Sequence, residues 1–392
     1  MTGRGSLKLS KLLILALGIV GSLLGLAVVV WPAMSARTTA APSPQTETED
    51  GEDCLECHSN PALLINLPSG EELSLYVDPQ AYAASVHGRH GTGGYQCTRC
   101  HTDITGYPHP ALTAASRREF TLQQYTACTQ CHTAAADDTM AGAHQIALAG
   151  GNAQAAVCSD CHTAHAIQRL TDERTGATLA EARPLIPAMC RQCHSQVYDL
   201  YSQSVHGQAL LQEGNPDVPT CIDCHGSHDA QGPSVGGFRL ASVQVCATCH
   251  ADAEMMARYG VNPDVYATYV TDFHGETVVL TREATPGEET EKPVCVDCHG
   301  IHNILAATDA QSTVSQANLL GTCQRCHPQA QFRFPATWLN HQVPTSRSAP
   351  LVYYVNLFYK ILIPAVLGVM ALFVITDAMR RFINRRRERG NA

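Results

Sequence analysis

The chain repeats one five-residue pattern, Cys-x-x-Cys-His, nine times, and the nine copies use all 18 of its cysteines. The copies are Cys54/Cys57/His58, Cys97/Cys100/His101, Cys128/Cys131/His132, Cys158/Cys161/His162, Cys190/Cys193/His194, Cys221/Cys224/His225, Cys246/Cys249/His250, Cys295/Cys298/His299 and Cys323/Cys326/His327. Two thiols at a fixed two-residue gap, followed at once by an imidazole, suit one reaction above others. The thiols add to the vinyl groups of a porphyrin and the histidine ligates its iron, as in c-type haem. Zinc ribbons and disulfide frameworks also use paired cysteines. Zinc would not require a histidine after every second cysteine, and disulfides would not require the fixed gap. The expected cofactor is haem c, nine per chain, covalently attached.

Ten histidines lie outside the motifs: His87, His90, His109, His144, His165, His206, His228, His274, His302 and His341. Their spacing follows an internal repeat, which is the first thing to look for in such a chain. The clearest copy runs from Cys190 to His228 and reads C-x-x-C-H…H…C-x-x-C-H…H. Residues 128–165 match it almost residue for residue. In both, the first free histidine follows its motif histidine by 12 residues and the second follows by three. Residues 246–302 form another copy, residues 54–109 a more divergent one, and residues 323–341 a half copy. SVHG recurs at residues 85–88 and 204–207, DFHG stands at 272–275, and CHG-x-H follows at His225 and His299. The register supplies nine further ligands, His87, His109, His144, His165, His206, His228, His274, His302 and His341, and leaves out His90. If the segment holding His162 and His165 is helical, the two share a face. They cannot then close opposite sides of one iron, so His165, and likewise His228 and His302, is expected to serve a neighbouring haem.

These ligands must be positioned by a scaffold with little core of its own. Aromatic residues make up 6% of the 392-residue chain. The motif region, residues 51–345, offers about 33 residues per motif, too few for a conventional side-chain core around each. The fold class expected is mainly α with extensive loop, a haem-packed multihaem cytochrome c array flanked by N- and C-terminal transmembrane helices. Short helices should form at the motifs, with little sheet, the copies stacking as one repeat array. The expected organisation is 1–36 signal anchor, 37–53 disordered acidic tether, 54–345 nine-haem domain (54–109, 128–165, 190–228, 246–302, half-module 323–341), 351–376 transmembrane helix and 377–392 basic cytoplasmic tail.

Both ends point to a membrane. Residues 12–31 are an apolar run long enough to span a bilayer, preceded by Arg4, Lys8 and Lys11. It reads as a retained anchor or as a cleaved signal with Ala33-Met34-Ser35 at the cut, and its length favours retention. Residues 351–376 are a second apolar run, with Tyr353, Tyr354, Phe358 and Tyr359 as an interfacial belt. Lys360 can snorkel to that interface, Pro364 can bend the helix, and six arginines follow, from Arg380 to Arg389. Both termini then lie in the cytoplasm and the motif region outside it. That outer part, residues 38–350, holds 33 acids against 15 bases. Such a field favours basic partners and excludes nucleic acid.

The quoted motifs resemble the multihaem c-type cytochromes of bacterial respiration, nearest those with doubled CxxCH modules and SxHG and CHGxH histidines. In placement the chain is similar to membrane-anchored quinol dehydrogenases of nitrate and nitrite respiration. It departs from them in its nine motifs and C-terminal apolar segment, so quinol oxidation is not carried over. The resemblance implies a cytochrome of the bacterial cytoplasmic membrane, its haem domain on the periplasmic or extracellular side. Its partners would be redox proteins and quinol or a quinol-oxidising subunit. With two histidines per iron, an electron carrier is favoured over an enzyme, and no catalytic residue is assigned. The alternative is a multihaem reductase of nitrite, hydroxylamine or tetrathionate with one open haem. Neither apolar run contains histidine, so electrons from quinol would come in at the outer face or through a partner subunit, with the haem of His327 as the expected entry point and His341 as the residue to replace.

Overall fold

The computed structural model describes residues 50–91, 94–232, 236–285 and 291–390. The chain divides into two units, residues 1–49 and 50–392, and the described residues belong to the second. The apolar run 12–31 and the tether up to residue 49 lie outside the described residues.

Helices of 4 to 13 residues joined by loops make up the motif region. One small antiparallel pair, Leu64–Asn66 against Glu72–Ser74 with Ile65 opposite Leu73, accompanies them. The fold is mainly helical with much loop, as expected. Helix Asp50–His58 begins inside the stretch read as a tether. Few apolar side chains are buried, and the main cluster of them is local: Leu240, Val243, Tyr269, Val278 and Val294. The last helix, Pro350–Gly390, is 41 residues long, passes through Pro364, and takes in both the apolar run and the arginine tail. It is long and apolar enough to cross a membrane.

The two motifs of each module take different local structures, and sequence explains why. First motifs sit at the C-terminal end of a helix that precedes them: Asp50–His58, Thr126–Thr129, Leu185–Arg191, Phe238–His250 and, in the half module, Leu319–Gln324. Second motifs are helices in themselves, Cys158–His162, Cys221–His225 and Cys295–His299. Each of these has an aspartate in its third position. Asp160 accepts the N–H of Val157 at 2.7 Å, Asp223 that of Thr220 at 2.6 Å and Asp297 that of Val294 at 2.6 Å, satisfying a donor that a helix start leaves orphaned. The first module has Arg99 there, and forms only a 3₁₀ turn, Cys97–Arg99.

The first free histidine of each later module lies in the opening turn of a helix just after a sharp corner: His144 in Ala143–Ala149, His206 in Val205–Leu211 and His274 in Phe273–Ala284. Ser204 caps the corner by accepting Gly207 N–H at 3.0 Å, and Asp272 accepts His274 N–H at 2.7 Å. Ser85 makes the same 3.0 Å bond to Gly88 in the first module.

Candidate cofactor-binding sites

Nine imidazole pairs run through the described region. Each joins one motif histidine to one free histidine: His58–His109, His132–His87, His101–His165, His194–His144, His162–His228, His250–His206, His225–His302, His327–His274 and His299–His341. Ring centroids lie 6.0–6.4 Å apart in all nine, although the interplanar angle ranges from 25° to 52°. Directly packed rings should close up as they become parallel. A constant separation with free rotation is what a shared atom between two ligands imposes. A ligated metal lies about 2 Å from an imidazole nitrogen and roughly 1 Å more from the ring centre, so two ligands in line give about 6 Å. His90 is in no such pair; it stacks on Tyr95 at 4.3 Å.

The chemistry of the rings fits the same group. His58 donates Nδ1–H to Leu75 O at 2.7 Å, His109 to Gly106 O at 2.8 Å and His225 to Gln231 O at 2.8 Å. A carbonyl only accepts, so these bonds fix the tautomer and leave Nε2 as the lone-pair nitrogen. Burial lowers the basicity of His87, His101, His144, His162, His165, His250, His299 and His302, and pushes His206 down to about 4. That keeps the rings neutral, the form that ligates. No group of three or more His, Cys, Asp or Glu side chains converges as a metal site among the described residues. Zinc needs such a group, whereas a porphyrin supplies four nitrogens of its own and asks two from the protein. The residues fit haem.

The pairing is offset by one module. His87, His144, His206 and His274 each face the first motif of the following module, at His132, His194, His250 and His327. His101, His162 and His225 each face the second free histidine of the following module, at His165, His228 and His302, and His299 faces the one free histidine of the half module, His341. The first motif, lacking a preceding module, pairs within its own through His109. Two expectations need correction. His341 faces His299, and His327 faces His274, so the half module is not closed on itself. His162 and His165 do serve different pairs, but not through a shared helix face: the helix ends at His162, and Thr163 is left-handed at φ 63°. Gly226 and Gly300 make the same reversal at φ 79° and 83°.

A seam hydrogen bond accompanies the offset. The residue before each first free histidine donates its N–H to the carbonyl two residues beyond the next module's second free histidine: Val86 to Ile167 at 3.0 Å, Ala143 to Ala230 at 2.8 Å and Val205 to Ile304 at 2.9 Å.

Three further sets of residues position the sites without belonging to them. Tyr82, Tyr201 and Tyr269 stand five residues before a free histidine. Each donates its hydroxyl to the carbonyl two residues before a second motif, Tyr82 to Tyr95 O, Tyr201 to Pro219 O at 2.8 Å and Tyr269 to Pro293 O at 2.7 Å. Arg118 pairs with Asp160 at 2.8 Å, Arg183 with Asp223 at 2.7 Å, and Arg239 with Asp297, tying each second motif to the segment that leads into the first. Trp338 packs on His274 and His341, the free-histidine rings of two different pairs, at 5.5 and 5.7 Å. Alignment of the modules would have found the tyrosines and aspartates; nothing in the sequence singles out Trp338.

Consecutive motifs touch. Within modules the leading thiols are hydrogen-bond neighbours, Cys54 with Cys97, Cys128 with Cys158, Cys190 with Cys221 and Cys246 with Cys295. Between modules Cys100 lies within electrostatic reach of Cys131, Cys161 of Cys190 and Cys193, Cys224 of Cys246 and Cys249, and Cys298 of Cys323 and Cys326. The nine sites therefore follow one another in space in the order of the sequence.

One cysteine departs from this pattern. Cys57 is expected to attach haem on the same footing as the other 17, and its motif is the one with no motif before it in the sequence. Cys57 is exposed, as are Cys131, Cys193 and Cys326, and its carbonyl accepts Asn60 N–H at 3.1 Å. Its counterparts Cys131, Cys193, Cys249 and Cys326 each lie near the second motif of the module before, and Cys57 belongs to the first. What ties Cys57 to a site is its own motif: Cys54 three residues earlier and His58 beside it, with His58 facing His109.

The chain is similar to the multiheme cytochrome MtrA of Shewanella baltica (strain OS185), 24% identical over 213 residues that make up 51% of this chain and 53% of that protein. It thus spans about half the length of the curated relative it matches. No family model matches the chain, and no solved structure matches it.

Proposed function

We propose that this chain is a multihaem cytochrome that carries electrons through nine c-type haems in single file. The observation that carries the reading is the set of nine imidazole pairs at one constant separation, each with a Cys-x-x-Cys beside it. The 18 cysteines would hold the nine groups covalently, and the 18 paired histidines would supply two ligands to each iron. Haem bound in this way supplies a reversible one-electron iron couple whose potential follows its ligands, burial and nearby charge.

The protein's own contribution is spacing and closure. Reversals at Thr163, Gly226 and Gly300 send two nearby histidines to two different sites, so one short peptide holds neighbouring sites together. The offset register repeats that stapling along the array. The likeness to a multiheme cytochrome supports the class of cofactor. The alternative, a reductase of nitrite, hydroxylamine or tetrathionate, needs a site with one histidine, and a partner ring stands opposite every motif histidine.

In this reading helix Pro350–Gly390 anchors the chain in the bacterial cytoplasmic membrane, with its arginine end in the cytoplasm and the array outside. The ninth motif, with His327 facing His274, is the motif nearest that helix in sequence, and its site takes up or delivers electrons at the membrane, from quinol or a quinol-oxidising subunit. The first site, His58 with His109, forms the far end. The acidic outer region selects basic redox proteins there.

The test is a haem count and a spin count on the purified chain. Nine covalent haems with only low-spin signals in low-temperature electron paramagnetic resonance are expected. Fewer than nine haems, or a high-spin population of one site or more without added ligand, would overturn it.

A further inference from the structure

Among the nine pairs, His299–His341 is held differently. His165, His228 and His302 each stand three residues from a motif histidine, so covalent attachment would fix the chain on which they ride. His341 stands 14 residues beyond His327, with no motif after it. The seam bond that secures the other three has no counterpart here among the described residues: no backbone bond joins Phe273 N–H to Val343 O. Among the described residues, the one tertiary hydrogen bond on residues 338–344 is Asn262 Nδ2–H to His341 O at 2.6 Å. Residues Asn340 and His341 are both left-handed, at φ 48° and 57°, a conformation that costs energy in any residue with a side chain and two in succession cost more.

The ring itself lacks support. Its Nδ1 is buried and without a hydrogen-bond partner, the only histidine nitrogen so placed among the described residues. A ligating imidazole that donates Nδ1–H to a carbonyl binds its metal more strongly, as His58, His109 and His225 are set to do. His341 has no such help, and swinging out to water would restore a hydrogen bond to Nδ1 and relax the turn. Its ring separation, 6.4 Å, is the widest of the nine. The edge of Trp338 is the aromatic contact that holds it in place.

We propose that His341 is the displaceable axial ligand of this array, making the eighth site, next to the membrane end, a binding site for a small neutral or anionic ligand such as a diatomic gas. This rests on the haem reading above. The exchange would involve no redox change: His341 would leave as a neutral imidazole, and the lone pair of the incoming ligand would take the place of its own.

The experiment uses the full chain, dithionite-reduced and titrated with carbon monoxide, with uptake per chain read from the Soret band. The haem count and resting spin state are measured on the same sample, so a failure of the haem reading shows independently of carbon monoxide. One equivalent per chain is expected, and His341→Ala should also bind one, because both open the same site. No uptake by the parent at saturating gas, or one more equivalent in His341→Ala than in the parent, overturns the proposal. Two milder variants keep the test decisive if His341→Ala does not mature. Asn340→Gly, which relieves a left-handed position, should weaken carbon monoxide binding about fivefold, and Asn262→Ala, which removes the one tertiary tie, should strengthen it by about the same factor. Unchanged affinity in both overturns the proposal.

Discussion

The seating of His206 depends on a helix corner so tight that only glycine can follow the histidine, and Gly207→Ala measures how tight. A Cβ built on Gly207 would strike the Tyr201 carbonyl oxygen, and would lie 2.7 Å from Tyr201 C and 2.9 Å from Ser202 Cα. Ordinary contact begins at 3.4 Å, so the shortfall is roughly 0.5–0.7 Å against those two atoms and larger still against the oxygen, all of them backbone that cannot rotate away as a side chain would. Helix Ser195–Gln203 must therefore move off helix Val205–Leu211, dragging the Tyr201 hydroxyl from Pro219 O and the Ser204 cap from Gly207 N–H. Overpacking of this kind costs about 2–3 kcal/mol, which should lower the unfolding midpoint by about 5 °C or more. His206 is the neighbouring residue and faces His250, so the spectroscopic loss should fall on that one site, up to one ninth of the low-spin signal. Gly321→Ala is the control: nothing lies within 4 Å of its Cβ, and alanine inside helix Leu319–Gln324 should raise stability by up to about 1 kcal/mol. Calorimetry and paramagnetic resonance on the two variants decide the matter. A Gly207→Ala chain with parental midpoint and spin state would show that the close approach is not what seats His206.

Two other outcomes follow from the same geometry. A chain ended at residue 318 keeps eight motifs but loses His341, so it should show seven low-spin haems and one open site at His299; eight low-spin haems would mean the half module closes on itself after all. Asp223→Asn removes the charge from a carboxylate that binds Arg183 at 2.7 Å and caps Thr220 N–H at 2.6 Å. With Asp223 about a third exposed and Arg183 mostly buried, the loss should be about 1–2 kcal/mol, below that of a fully buried pair, read as a midpoint lowered by a few degrees with nine haems still attached.

The inventory of the sites was legible before the fold. Nine motifs, nine free histidines in register and one left over could be read from spacing, because covalent attachment demands fixed residue types at fixed intervals. Mainly helical structure with much loop could be read as well, from short motif segments with glycine breaks. Partnership could not. His341 stands nearest in sequence to His327 yet faces His299, because the half module continues an offset set three modules earlier. The reversal at Thr163 was hidden for a different reason: threonine seldom takes a left-handed conformation, and glycine marks the equivalent place at Gly226 and Gly300. Trp338 carries no periodic signal, since it belongs to the half copy alone.

The offset explains why a half module closes the chain at all. If every module lent its first free histidine forward and took its second ligand from the module ahead, a string of whole modules would be unfinished at both ends. At the start, His58 would lack a lender and His109 a borrower, and these two rings meet each other at 6.1 Å. At the other end His274 and His299 would be left facing nothing. The half module offers one motif histidine and one free histidine, His327 and His341, and nothing more, which is what those two require. Four whole modules then yield two sites each plus one. A chain built by this rule has an odd number of sites, and adding or deleting one motif alone would strand an imidazole.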